Sequence, residues 1–218
     1  MRNGLVFNRN VGKLSVFHQK QELNFMKRKI ILSAAVIVFA LISNIAQAGD
    51  FAVGSTLENF KLSDTNGKQQ SLNDLKGKNG AVLVFLSTQC PVVRRYNERI
   101  AKLATDYQAK GVNVVGINSN ATETPDAVKN HAEAHYKFPV LIDKDNVLAD
   151  KLNANVTPET FYFNDKNVLV YRGAIDNDRR GENITENYLR DALDATATGK
   201  AVAKTSANAF GCSIRRKQ

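Results

Sequence analysis

The sequence is poor in cysteine: its 218 residues include only two, Cys90 and Cys212. Two cysteines cannot supply the framework of disulfides that holds a small cysteine-rich domain together, so we expect the fold to depend on a hydrophobic core. The chain also lacks internal repeats, low-complexity tracts and a recognisable linker between domains. These absences leave the two cysteines as candidates for a reactive pair rather than for a structural framework.

Positive charge is concentrated at the N-terminus. The whole chain has a formal net charge of +9, but residues 1–48 contain seven Lys or Arg against one Glu. The rest of the chain carries 23 basic and 20 acidic residues, so its net charge is only +3. Because a nucleic-acid-binding surface needs basic residues in the folded domain, we expect no nucleic-acid partner.

Residues 26–48 have the pattern of a signal peptide. They begin with the positively charged run Met-Lys-Arg-Lys and continue with an almost unbroken apolar stretch over residues 30–42. Ala46 and Ala48 then supply small residues at the two positions that fit a signal-peptidase cleavage site. The apolar stretch is short for a membrane span, and no stop-transfer signal follows it.

We therefore predict that residues 1–48 are an N-terminal extension plus a signal peptide, and that the mature chain begins at Gly49. This predicts export to the periplasm or out of the cell, with no stable membrane span after cleavage. An uncleaved N-terminal anchor is the alternative. The 170 residues that remain are enough for one domain with a sizeable core.

The mature chain alternates short apolar strands with amphipathic helices. The order βαβαβαββα predicts an α/β fold with a central mixed sheet, preceded by a β-hairpin around Asn66-Gly67. We assign residues 49–198 to this domain and residues 199–218, which have little periodicity, to a tail that carries Cys212. The predicted elements are strands at 81–86, 112–118, 138–143, 156–163 and 168–172, and helices at 91–109, 125–135, 146–152 and 183–197.

Cys90 lies where a strand passes into a helix. Residues 81–86 are an apolar run of strand length, and helical spacing begins after Pro91, a residue favoured at the first position of a helix. Unpaired backbone N–H groups and the helix dipole at such a position favour a thiolate, and Arg94 and Arg95 could add to the effect. The pattern indicates a reactive cysteine. The alternatives are that Cys90 is a buried structural thiol, and that the two arginines only form a solvated face of the helix.

Val93 occupies the position at which a C-x-x-C motif would have its second cysteine, so Cys212 is the one candidate partner for Cys90. Thr157 and Pro158 begin a late apolar strand, where proline is allowed but notable. A cis bond between them could expose the amide and carbonyl of Thr157 towards a bound chain, whereas a trans bond is the statistical default.

The sequence gives no reason to expect a metal or another cofactor. His131 and His135 lie four residues apart on a predicted helix, but no third ligand accompanies them. We interpret them as a solvent-facing pair.

Four segments together resemble the thioredoxin superfamily, closest to its redoxin (AhpC/TSA) branch, which includes TlpA-like thiol–disulfide proteins. They are Cys-Pro-Val-Val at 90–93, Thr-Pro-Glu-Thr-Phe at 157–161, Tyr-Arg-Gly-Ala-Ile-Asp at 171–176 and Gly-Cys-Ser-Ile at 211–214. The resemblance covers about residues 51–197. It implies a thioredoxin-like fold, Cys90 as the attacking thiol and Pro158 as a cis-proline that faces it.

The sequence departs from each functional pattern in this superfamily. Thioredoxins have Trp-Cys-x-x-Cys, but Gln89 replaces the tryptophan and Val93 replaces the second cysteine. Peroxiredoxins have Pro-x-x-x-Thr/Ser-x-x-Cys, of which Ser87 matches the hydroxyl and Leu83 replaces the proline. Peroxiredoxins also place an arginine where this chain has Pro158.

Three hypotheses follow. The favoured one is an exported thiol–disulfide oxidoreductase in which Cys90 is the nucleophile and Cys212 resolves, with Pro91, Thr157 and Pro158 at the partner site. Its partners would be a protein disulfide and an external thiol reductant. The second is a peroxiredoxin-like peroxidase, in which Ser87 hydrogen-bonds the peroxide. The third is a redox-inactive thioredoxin-fold binding module.

Overall fold

One apolar strand lies at the centre of the sheet in the computed structural model, which describes residues 51–217. This strand, β3 (Gly80–Leu86), is buried at all seven positions. It pairs in parallel with β4 (Val112–Asn118) and antiparallel with β7 (Glu159–Phe163). A continuous apolar run fits a strand with both faces covered. The predicted signal peptide, the preceding extension and Gly49 lie outside the described residues.

Eight strands form the main sheet, in the order β2-β1-β5-β4-β3-β7-β8-β9. Strands β3, β4 and β5 run parallel, whereas the hairpin β1–β2 and the pair β7–β8 are antiparallel. The predicted mixed sheet and N-terminal hairpin are therefore confirmed. The remaining strands are β1 (Lys61–Asp64), β2 (Gln69–Ser71), β5 (Val140–Ile142), β6 (Val156–Thr157), β8 (Leu169–Gly173), β9 (Ser206–Ala207) and β10 (Cys212–Ser213).

Within residues 51–217 five helices accompany the sheet, and a separate apolar cluster covers each of its faces. Alternate residues of β3 point to opposite faces, so Val82 and Val84 join one cluster and Leu83 and Phe85 the other. The first cluster includes side chains of α2, α3 and α5, and the second includes side chains of α1 and α4. The helices are α1 (Leu72–Leu75), α2 (Pro91–Gln108), α3 (Pro125–His135), α4 (Val147–Leu152) and α5 (Tyr188–Ala197).

The last helix begins later than its sequence predicts, at Tyr188 rather than at residue 183. The backbone before it is held by side chains instead of by helical hydrogen bonds. The side-chain oxygen of Asn177 accepts hydrogen bonds from the N–H groups of Thr185 and Glu186, and the carboxylate of Asp178 accepts one from Asn183. Such local side-chain bonds compete with helix formation.

Two further segments and the histidine pair differ from their sequence-based descriptions. The strand predicted over residues 156–163 is divided at Pro158 into β6 and β7. The tail is not featureless, because it contributes β9, which pairs with β8, and β10, which pairs with β6. The rings of His131 and His135 lie 4.7 Å apart, and His131 is partly buried rather than solvent-facing.

No helix within residues 51–217 is both long enough and apolar enough to cross a membrane.

Gly173 lies where β8 pairs with β9 of the tail, and its replacement tests that pairing. Its φ is +123°, and a Cβ built on it would lie 1.8 Å from the carbonyl oxygen of Ala207 in β9. We expect Gly173→Ala to lower the free energy of unfolding by about 1–3 kcal/mol more than Gly54→Ala does, because both have positive φ but only Gly173 is crowded. Equilibrium urea unfolding measures the difference. Equal losses in the two variants would contradict this description of the β8–β9 contact.

Candidate functional site

Cys90 lies at the N-terminus of α2, as its sequence context predicts. It is the N-cap residue with extended backbone angles, and Pro91 occupies the first turn. Its side chain is almost fully buried, with 1% of its surface exposed. The thiol donates a hydrogen bond to the carbonyl oxygen of Thr157 at 3.2 Å, and the N–H of Val93 points towards the sulfur. The end of β3, the loop that follows it and the start of α2 therefore fix the orientation of the Cys90 thiol.

The carbonyl that receives this hydrogen bond precedes a cis-proline. The bond between Thr157 and Pro158 is cis, which is the less common of the two sequence alternatives. Both residues are buried, and β6 ends at Thr157 directly opposite the thiol of Cys90. The structure thus brings Thr157 and Pro158, which the sequence separates from Cys90 by more than sixty positions, to the same site.

Strand β10 brings the second cysteine to the same place. It pairs antiparallel with β6, and Cys212 lies opposite Thr157. The hydroxyl of Thr157 donates to the carbonyl of Cys212, and the N–H of Ile214 donates to the carbonyl of Asn155 at 2.9 Å. Gly211 passes so close that a Cβ built on it would lie 1.9 Å from the carbonyl oxygen of Thr157. The Cys212 side chain therefore packs against the cluster that contains Cys90, close enough for the two reduced thiols to affect each other's acidity.

The two thiols differ in acidity. Burial alone would raise the pKa of Cys90, but hydrogen bonds from the Cys212 thiol, the Val93 N–H and the Thr157 side chain outweigh it, so the pKa of Cys90 lies below that of an ordinary thiol. Burial and the neighbouring sulfur of Cys90 raise the pKa of Cys212 to about 11. Cys90 is therefore the thiol that ionises first, and the lower pKa is typical of an attacking cysteine.

The arginines that the sequence offered as possible activators do not contact this thiol. Arg94 and Arg95 are both exposed on α2. The guanidinium of Arg94 instead donates to the carbonyl of Thr88. The hydrogen bonds that lower the pKa of Cys90 therefore come from backbone N–H groups, the Cys212 thiol and the Thr157 side chain rather than from these cations.

Ser87 lies at the beginning of the loop that carries Cys90, and its hydroxyl is already engaged. It donates to a carboxylate oxygen of Glu123 and accepts from the N–H of Gln89. The other oxygen of Glu123 accepts from the N–H of Thr88 and from the amide of Asn118. This carboxylate, which the sequence analysis missed, ties the loop to the end of β4. Its position after a polar Asn-Ser-Asn run gave no recognisable signal.

Glu159 is a second residue that the sequence analysis missed. One of its carboxylate oxygens accepts from the N–H of Asn155 at 2.9 Å and from the N–H of Val156, and the other contacts the guanidinium of Arg172 at 3.4 Å. Glu159 therefore fixes the turn that leads into β6 and presents the Thr157 carbonyl. A charged residue at the start of an otherwise apolar strand is the signal that could have identified it.

The structure brings five of the predicted site residues together: Cys90, Pro91, Thr157, Pro158 and Cys212. Ser87 instead supports the loop that carries Cys90, through its hydrogen bond to Glu123. Within residues 51–217, no three His, Cys, Asp or Glu side chains lie close enough together to hold a metal ion.

A family model described as "AhpC/TSA family" matches residues 53–172. The thiol-disulfide oxidoreductase ResA of Bacillus subtilis (strain 168) is 32% identical over 187 residues, which span 84% of this chain and 98% of ResA.

Solved structures give the same fold. A hypothetical protein from Sinorhizobium meliloti 1021 is 33% identical with a TM-score of 0.71, and the match covers 78% of this chain and 97% of that protein. Peroxidoxin BcpB from Mycobacterium tuberculosis is 20% identical with a TM-score of 0.54, over 67% of this chain and 96% of its own, and supports the fold alone. The predicted thioredoxin-like α/β fold is therefore confirmed.

The proximity of the thiols predicts a two-step titration of the reduced protein. Cys90 should ionise at a pH below that expected for a free thiol, and Cys212 near pH 11, because a thiolate at Cys90 disfavours a second charge beside it. Replacing the donor by Cys212→Ala should raise the pKa of Cys90, whereas Cys212→Ser keeps a donor and should raise it less. Ultraviolet thiolate absorbance against pH measures each step. An unchanged Cys90 titration in Cys212→Ala would contradict the assignment.

Proposed function

The chain belongs to the AhpC/TSA family, and from that premise we propose that it is a thiol–disulfide oxidoreductase in which Cys90 attacks and Cys212 resolves. The observation that carries the proposal is that β10 places Cys212 opposite Thr157, whose carbonyl accepts the hydrogen bond of the Cys90 thiol. The name of the Bacillus subtilis relative, a thiol-disulfide oxidoreductase, supports the same activity.

The reaction begins at Cys90. Its thiolate attacks one sulfur of a substrate disulfide, a mixed disulfide forms, and the second substrate sulfur leaves as a thiolate. Cys212 then gives up its proton and attacks the sulfur of Cys90, which releases the first substrate sulfur as a thiolate. The substrate has gained two electrons, and the protein holds a Cys90–Cys212 disulfide. An external thiol reductant returns the protein to the dithiol.

The surrounding groups suit these steps. A low pKa at Cys90 supplies the attacking thiolate, and a higher pKa at Cys212 keeps that thiol protonated until the charge on Cys90 has been lost to the mixed disulfide. The Cys90 sulfur also lies at the N-terminus of α2, whose dipole favours negative charge there. The same steps in reverse would oxidise a substrate dithiol, and the reductants of the compartment set the direction.

Thiol–disulfide exchange fits this site better than reduction of a peroxide. A peroxidatic site needs hydrogen-bond donors aimed at the peroxide, but the hydroxyl of Ser87 is committed to Glu123. The guanidinium of Arg172 contacts Glu159. A redox-inactive binding module is also less consistent with two reduced thiols at one site, since nothing in such a module requires the second one.

We propose that the reaction takes place outside the cytoplasm. The charged and apolar pattern of residues 26–48 supports export, and a reaction that cycles through a disulfide suits an oxidising compartment. Terminal sequencing of the exported protein should begin at Gly49. A terminus within or before the apolar stretch would contradict cleavage at that position.

Two serine variants test the assigned roles. Cys90→Ser should not react with a protein disulfide, because it lacks the nucleophile. Cys212→Ser should perform the first step and then accumulate the mixed disulfide, because the resolving thiol is missing. Rapid-mixing kinetics followed by mass spectrometry of acid-quenched samples measures both outcomes, with a hydroperoxide as the alternative substrate.

Three results would contradict the proposal. Full activity of Cys90→Ser would remove it as the nucleophile. Complete turnover by Cys212→Ser, with no trapped species, would remove Cys212 as the resolving thiol. A much faster reaction of the wild-type protein with the hydroperoxide than with the disulfide would favour a peroxidase.

A further inference from the structure

Strand β6 has its pairing partner in the chain's own tail. In the part of the chain that the structure describes, β6 forms a two-stranded sheet with β10 alone. The register places Cys212 opposite Thr157 and Ser213 opposite Val156. Without β10, the backbone groups of β6 would form an open strand edge next to Cys90. An open edge of this kind can accept an extended peptide by main-chain pairing.

The segment from Ser206 to Lys217, here called the strap, closes the site completely. It pairs with β8 at its start and crosses over Thr157. Its end bonds the loop after β4, where the N–H of Arg215 donates to the side chain of Asn120. With the strap in place only 1% of Cys90 is exposed. A disulfide on another protein therefore cannot reach the Cys90 sulfur while the strap is docked.

Three strap residues fit the site closely: Phe210 and Ile214 through their side chains, and Gly211 because it has none. Gly211 has no room for a Cβ over the Thr157 carbonyl. Phe210 lies beside the ring of Tyr96, 6.3 Å between centroids, with the guanidinium of Arg179 on its ring at 5.4 Å. Ile214 is 5% exposed and packs in the second apolar cluster. Phe210 and Cys212 pack against the first apolar cluster, so the strap reaches both clusters, while Ser213 is exposed.

We propose that the strap occupies the docking site of a protein substrate, and that its sequence reports what the site accepts. The substrate would be an extended segment with a small residue directly before its cysteine, an aromatic residue two positions before the cysteine and an aliphatic residue two positions after it. This inference rests on the proposed thiol–disulfide function and adds the substrate class to it.

The order of events follows from a site that holds one strand at a time. The strap leaves and the substrate segment pairs with β6. The Cys90 thiolate, which the Val93 N–H and the N-terminus of α2 still stabilise, then attacks the substrate disulfide and expels the distal substrate sulfur as a thiolate. The strap then returns with Cys212, whose thiolate displaces the substrate cysteine as a second thiolate. Return of the strap therefore couples formation of the Cys90–Cys212 disulfide to release of the substrate.

The strap is held by few strong contacts, so it can leave the site as well as dock there. Its terminal ion pairs, Arg216 with Asp150 and Lys217 with Asp145, are largely exposed, and exposed pairs contribute little to stability. Phe210 is only partly buried, so Ile214 is the one buried side chain that anchors the strap. Ile214→Ser should therefore weaken docking of the strap without touching the thiols.

The test uses the reduced full-length protein and four substrates, each carrying one thionitrobenzoate disulfide. One is the heptapeptide Ala-Phe-Gly-Cys-Ser-Ile-Arg. Two are matched peptides, with valine for glycine and with serine for both phenylalanine and isoleucine. The fourth is glutathione. We expect single-turnover reduction of the first peptide to be about 10-fold faster than that of either matched peptide, because only it reproduces the strap's apolar and close contacts.

The outcomes separate this inference from the function on which it rests. Equal rates with all three peptides would overturn the substrate class and leave the oxidoreductase function intact. A reaction with the glutathione derivative alone would also overturn it, in favour of small disulfides. No reaction with any of the four would contradict the proposed function itself.

A second variant tests displacement of the strap. Ile214→Ser should react faster than the wild-type protein with the first peptide, since the strap competes less well for β6. Hydrogen exchange provides an independent measurement on the unmodified chain: the N–H groups of Cys212 and Ile214 should exchange faster in the reduced protein than in the oxidised one. Equal protection in both states, with no gain in rate for the variant, would show that the strap does not leave.

Discussion

The carbonyl of Thr157 is the group on which the site depends. It receives the hydrogen bond of the Cys90 thiol, it precedes the cis-proline, and the backbone of Gly211 passes directly over it. The pairing of β6 with β10 then aligns Cys212 with Thr157. Moving this carbonyl would therefore change both the acidity of Cys90 and the approach of Cys212.

Two carboxylates, Glu159 buried and Glu123 half-buried, hold that geometry from the Thr157 side and the Cys90 side. Glu159 accepts hydrogen bonds from the backbone before Thr157 and contacts Arg172, so it fixes the strand that presents the carbonyl. Glu123 accepts hydrogen bonds from Ser87 and Thr88, so it fixes the loop that presents the thiol. Each acts through backbone that it positions, and neither is within the set of groups that bond the sulfur of Cys90. The site is rigid on the Cys90 side and, in our proposal, exchangeable on the Cys212 side.

The sequence predicts the elements whose patterns are local. The apolar run of β3, the change to helical spacing after Pro91 and the Asn-Gly turn each depend on a few adjacent residues, and all appear as expected. The pairing of the tail could not be predicted, because a two-residue strand has no periodicity and its partner lies more than fifty residues away. The start of α5 was misplaced for a related reason: Asn177 and Asp178 hold the preceding residues from outside the predicted helix. The sequence itself singled out Pro158 and Cys212, and the family resemblance added their roles, but neither identified the carboxylates that support them.

The most direct test of the account is to map the disulfide that forms when the reduced protein is oxidised at low concentration. Peptide mass spectrometry should find one intramolecular disulfide, between Cys90 and Cys212, and no free thiol at either position. A covalent dimer linked through Cys90, or a Cys90 that stays reduced while Cys212 is modified, would contradict the claim that β10 carries the partner thiol of the site.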